Sequence, residues 1–217
     1  MLAAAALGSF VFGLAVGWPL KLAAERVIGG SKEYTETKSS SVLWLVIPIS
    51  GLGFLLAYLE FSLSWRLLLG WWFIALMVVI AFVDLERMII PNRVVLPAAV
   101  AGLAASVLLE PNRWWVYLAA AVGAAAFLLL LSLVWRGGMG AGDVKMALLM
   151  GAVLGVLVIV ALFLAFLLGA ILGIVLMATK RKTRKDAIPF GPYLAIGSVV
   201  AFLVGDWLLG SYLNLLA

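Results

Sequence analysis

The sequence predicts an all-α, polytopic integral membrane protein of about eight transmembrane helices with its N-terminus outside. Its composition is the first reason: 66% of its 217 residues are hydrophobic and only 12% are charged, with a mean hydropathy of +1.23. The second is that apolar runs of about 20 residues, the length that crosses a bilayer as a helix, recur along the whole chain. These runs do not alternate polar and apolar residues as barrel strands do, and lipid offers no partner to open backbone groups, so helices are required. The third is the placement of basic residues. With eight spans and an outer N-terminus, every Lys and Arg except Arg66 and Arg113 falls in an inner loop, which is the bias expected of cytoplasmic loops.

The first span runs from about Met1 to Leu22, where Gly8, Gly13 and Gly17 suit close helix packing. Its first charge, Lys21, follows the apolar run, which is the reverse of a secretory signal. Residues 25–41 form a short polar cytoplasmic loop within a single membrane domain. Span two covers Val42 to Leu59 and span three Arg66 to Val83, ending at Asp84. A loop from Leu85 to Arg93 leads to span four, Val94 to Leu109, with Pro91 where a helix start tolerates proline. Span five runs from Trp114 to Trp135, with tryptophans at both ends as in an interfacial belt. The apolar stretch from Val144 to Ala178 is too long for one crossing and is split near Gly155 into a sixth and a seventh helix. A basic loop, Lys180 to Lys185, precedes the last span, which starts near Phe190 and ends near Leu209.

The chain has neither Cys nor His. That removes disulfide frameworks, zinc thiolate sites, Ser-His-Asp triads and cysteine nucleophiles, leaving carboxylates, Lys, Tyr or Ser for any chemistry. The net charge of +5 is read as loop charge rather than as a nucleic-acid surface.

Two acids stand out. Asp143 follows a glycine-rich loop (Gly137, Gly138, Gly140, Gly142) and opens a long apolar run, while Asp84 closes span three, 59 positions earlier. A carboxylate at the mouth of a membrane helix is costly and by default functional. The topology puts both at the cytoplasmic ends of helices. If spans three and six are neighbours, one member of the pair keeps a proton and polarises a carbonyl while the other activates water, and the two titrate as a unit. The glycines lack Cβ atoms, so a peptide backbone can come close and unusual turns are open. The bland alternative for Asp143 is a cap favoured by the helix dipole.

Gly140-Ala141-Gly142-Asp143-Val144-Lys145 resembles the GxGDxK signature of type IV prepilin peptidases, membrane aspartic proteases of the GxGD group. Asp84, seven positions before Pro91-Asn92, is similar to that family's first catalytic segment, and Ile188-Pro189-Phe190-Gly191-Pro192-Tyr193 resembles its final-helix motif. The likeness runs in order from about Phe73 to Gly210, with a faint echo at Gly8-Ser9-Phe10. The resemblance implies a leader peptidase with Asp84 and Asp143 as catalytic pair. Its substrate would be a type IV prepilin or pseudopilin, cut after a Gly between a basic leader and an apolar helix, at the cytoplasmic face of the inner membrane. Peptide hydrolysis of this kind needs no cofactor. The cysteine-bearing insert of many relatives is replaced here by the 25–41 loop, and the Asn and Arg-Leu-Pro features linked to methylation are missing. The expectation is therefore peptidase activity alone, with S-adenosylmethionine required only if methylation is retained.

Other residues have quieter readings. Lys145 snorkels to head groups or contacts substrate, and Glu86 meets solvent or the basic leader. Pro189, Phe190, Gly191 and Pro192 break a helix and, by the resemblance, shape a substrate groove. Asp206 is interfacial, and Glu60 lies near Arg66. Partners are the substrate and membrane lipid, with no nucleic acid. Two other readings stay open: another GxGD intramembrane protease of the preflagellin peptidase or presenilin kind, and a proton-coupled transporter, which favours midplane acids and inverted repeats.

Overall fold

The computed structural model describes residues 2–29, 41–134, 139–181 and 188–216, and every regular element among them is helical. The α-helices are α1 (Leu2–Gly29), α2 (Val46–Phe61), α3 (Trp65–Arg87), α4 (Asn92–Leu109), α5 (Trp114–Val134), α6 (Ala141–Leu154), α7 (Val158–Ala178) and α8 (Gly191–Leu216). Short 3-10 turns at 41–45, 111–113 and 155–157 lead into α2, α5 and α7. Seven helical stretches among the described residues are long and apolar enough to cross a membrane, and one of them, Ala141–Ala178, contains both α6 and α7. The protein is thus an all-helical multi-pass membrane protein. Trp135, Gly137, Gly138, residues 30–40 of the polar loop and residues 182–187 of the basic loop lie outside the described residues.

The chain divides into two compact units, Met1–Ile89 and Ile90–Ala217. In the first, three helices run up, down and up. Gly13 meets Gly51 and Gly17 meets Ile47 at distances where an added Cβ would lie within 2.8 Å of the facing chain, so α1 and α2 pack backbone against backbone. Gly8 faces open space instead. Stacking of Trp71 on Phe54, with centroids 5.3 Å apart, and a bond from Trp71 Nε1–H to the Phe54 carbonyl join α3 to α2.

Two boundaries differ from expectation. The first helix does not stop at Leu22 but runs to Gly29, taking Glu25 and Arg26 out of the predicted loop. The reason is a continuous buried stripe, Ser9, Gly13, Gly17, Lys21, Ala24 and Ile28, at helical spacing. Lys21 can join that stripe because its ammonium pairs with Glu25 at 2.7 Å and lies 4.3 Å from the Trp44 ring centre. The third helix continues past Asp84 to Arg87, whose Nη2 donates to the Ile28 carbonyl at 3.0 Å. It ends at Met88, which adopts the left-handed conformation (φ 52°, ψ 36°).

In the second unit, the neighbours of α5 settle the direction of α6 and α7. Gly155 lies against Val116 and Tyr117, and Gly151 against Ala120 and Ala121, so α6 runs antiparallel to α5. After the turn the chain passes Phe166 beside Phe127, so α7 runs parallel to α5. The 38-residue stretch is therefore a hairpin, folded where the sequence placed the split. Gly155 makes the fold possible, since its φ of +56° is open to glycine at little cost. α8 then returns antiparallel to α7: Gly169 faces Phe190, Gly197 faces Ala161 and Gly205 faces Leu157. The starts of α4, α6 and α8 consequently share one end of this unit with the finish of α7.

Candidate active site

Asp84 and Glu86 belong to the first unit. Asp84 lies on the last turn of α3, 5% exposed, among the buried side chains of Ile80, Phe82 and Val83. Its carbonyl accepts the Met88 N–H at 2.8 Å, closing the helix one turn beyond it. Asp84 is therefore inside the helix rather than at its mouth, a correction to the predicted end of span three. Glu86 is half-buried two residues on. A carboxylate held this deeply in an apolar helix is expensive, and the αL residue that ends its helix adds about 1–2 kcal/mol of local strain.

The remaining candidates belong to the second unit. Gly140 precedes α6 in an ordinary extended conformation, φ −77° and ψ 149°, which any residue adopts. Close approach rather than unusual backbone distinguishes Gly142: a Cβ there would lie 2.7 Å from the Ile90 Cβ. Asp143 is 7% exposed in the first turn of α6, and its Oδ2 accepts the Gly140 N–H at 3.0 Å. The helix N-terminus favours its negative charge, and the loop amide fixes the orientation of its carboxylate. The cap geometry expected of the bland reading is thus present, and it also presents a buried carboxylate at the end of the unit.

Lys145 Nζ donates to Asn92 Oδ1 at 2.7 Å, joining the first turn of α6 to the first residue of α4. Asn92 carried no role in the sequence reading. Only its place in the Pro91-Asn92 segment, at the same predicted membrane face as Lys145, signalled the pairing. Pro189 and Phe190 are half-buried and Gly191 and Pro192 buried at the start of α8, on the same end of the unit. The Phe190 ring sits 5.2 Å from that of Phe166 and 6.3 Å from that of Tyr193. Within this unit, therefore, Gly140, Gly142, Asp143, Lys145 and the Pro189–Pro192 segment gather at one end.

Comparison with known proteins identifies the lineage of this arrangement. Residues 71–174 match the type IV leader peptidase family. A prepilin leader peptidase/N-methyltransferase of Bacillus subtilis (strain 168) is 34% identical over 164 residues, covering 75% of this chain and 66% of the relative. A protein of the same name from Aeromonas hydrophila is 35% identical over 176 residues, covering 74% of this chain and 59% of the relative. The chain belongs to the type IV leader peptidase family. The family match takes in Asp84, Asp143 and Lys145, while the Pro189–Pro192 segment lies beyond it. The chain spans 66% and 59% of the length of these two relatives. No solved structure matches it.

Proposed function

We propose that this protein is a prepilin-type leader peptidase in which Asp84 and Asp143 act together on one peptide bond at the cytoplasmic face of the inner membrane. The observation that carries the reading is Asp143: a buried carboxylate, oriented by a loop amide, at the start of a membrane helix in a family of leader peptidases. A second acid, equally buried, stands on the last turn of α3 within the matched segment. Hydrolysis by two carboxyls and water needs neither Cys nor His, both of which the chain lacks.

In this mechanism the pair shares one proton. The ionised carboxylate takes a proton from water as the water oxygen bonds to the scissile carbonyl carbon, and the protonated partner donates to the carbonyl oxygen. Collapse of the tetrahedral intermediate breaks the C–N bond, and the amine leaves with a proton returned from the dyad. The basic leader of a prepilin would remain on the cytoplasmic side, where Glu86 meets it, while its apolar helix stays in the bilayer. Lys145 serves mainly to hold α6 to α4 through Asn92.

Purified protein in liposomes should cleave a prepilin-like protein after the Gly that precedes the apolar helix, with mass spectrometry locating the cut. Asp143→Asn should lower the rate by ~10²–10⁴-fold, the usual worth of a positioned acid or base. Full cleavage by that variant would reject the role of Asp143. Supplying a methyl donor and weighing the product tests for methylation separately.

A further inference from the structure

Between α5 and α7 the second unit leaves a groove of about 650 Å³ whose walls are apolar, formed chiefly by Trp115, Ala119, Gly123 and Phe127 on α5 and by Ile159 and Phe163 on α7. From Trp115 to Phe127 it is ~18 Å long at the helical rise. Two glycines on packed helix faces of this unit, Gly151 and Gly197, meet the backbone of a partner helix. A Cβ at Gly151 would lie 2.4 Å from the Ala120 carbonyl oxygen, and one at Gly197 2.4 Å from that of Ala161. At Gly123, as at Gly173 and Gly210, an added Cβ would meet nothing within 4 Å among the described residues, and of these three Gly123 is the one that lines the groove. Ala119 and Gly123 thus offer the i, i+4 small-residue spacing by which membrane helices approach closely, on a groove that no helix fills among the described residues of this unit.

The groove also leads somewhere. The Phe127 ring at its end stands 6.3 Å from Phe166, which stands 5.2 Å from Phe190 of the Pro189–Pro192 segment. Its length therefore runs toward the end of the unit that carries Asp143. An acyl chain would fill apolar volume but needs neither the small residues nor this continuity. A peptide helix uses both.

We propose that the groove receives the apolar transmembrane helix of the peptidase substrate, laid along α5 and α7, so that the bond preceding that helix emerges at the Asp143 end. This rests on the leader-peptidase reading and adds where the substrate's membrane segment binds.

The chain contains no cysteine, so a single Gly123→Cys change in an Asp143→Ala background can be oxidised against prepilins carrying one cysteine at successive helix positions. Gly123 lies 11 residues before the end of α5. Crosslinking is expected to peak about 11 residues after the scissile bond and to recur every three to four positions. In the otherwise unaltered protein, Gly123→Leu is expected to raise KM for full-length prepilin about tenfold by filling the groove. It should leave cleavage of a short junction peptide, which lacks the helix, unchanged. Absence of any crosslink, crosslinking of the protein only to itself, or an unchanged KM for full-length substrate would each overturn the proposal. So would equal losses on both substrates. Crosslinking does not require turnover. Failure of the peptidase reading would appear instead as no cleavage of either substrate by the protein with Gly123 intact.

Discussion

Gly140 and Gly142 stand two residues apart and do different things. The conformation of Gly140 is open to any residue, and the nearest atom to an added Cβ would be Asp143 Oδ2 at 3.4 Å, an ordinary contact. An added Cβ at Gly142 would collide with the branched Cβ of Ile90, which has no rotamer by which to withdraw. Gly142→Ala should therefore destabilise the protein by about 1–3 kcal/mol, while Gly140→Ala leaves its thermal midpoint within about a degree of wild type. Paired melting curves in one detergent check this, and equal midpoints for the two variants would contradict it. The sequence made both glycines visible but not the distinction between them, because the distinction depends on Ile90, 52 positions away in the chain. Asp84 and Asp143 were legible for another reason: carboxylates are so rare in apolar runs that each draws notice without any contact being known.

At the level of elements, the Lys145–Asn92 hydrogen bond ties the first turn of α6 to that of α4. Hydrogen bonds to charged groups are worth about 1.5–3 kcal/mol when shielded, and this one is exposed to solvent. A double-mutant cycle of Lys145→Met and Asn92→Ala should therefore give a coupling of about 1 kcal/mol in stability. Additive losses would show that the two side chains act independently and that Lys145 serves substrate or lipid instead. The hairpin of α6 and α7 could be read from sequence, since the stretch from Val144 to Ala178, apolar but for Lys145, exceeds one crossing and a glycine lies where the turn is needed. The ends of α1 and α3 could not. Glu25 and Arg26 look like loop residues until Lys21 is seen to be buried against Trp44, and nothing in the type of residue 88 announces a left-handed methionine.

For the molecule as a whole, the direction of each helix in the second unit makes a prediction about sidedness. α5 and α7 run one way, α4, α6 and α8 the other, so Arg113 and Val156 should lie at one membrane face and Lys145 and Lys180 at the opposite one. Single cysteines at these positions, in a chain that has none of its own, can be labelled from either side of sealed vesicles. Arg113 and Lys180 labelling from the same side would mean that residues 141–178 cross once. The bias of basic residues predicts that the Lys145 face is the cytoplasmic one, the side on which the proposed cleavage would occur.

The central claim is that Asp84 and Asp143 form one catalytic unit, and the rates of three variants test it most directly. Residues that act as a unit are strongly non-additive. Asp84→Asn and Asp143→Asn should each remove nearly all cleavage of a reconstituted prepilin, and the double variant should be no slower than the worse of the two. A single variant that cleaves at the wild-type rate, or a double variant whose loss is the product of the two separate losses, would contradict the account.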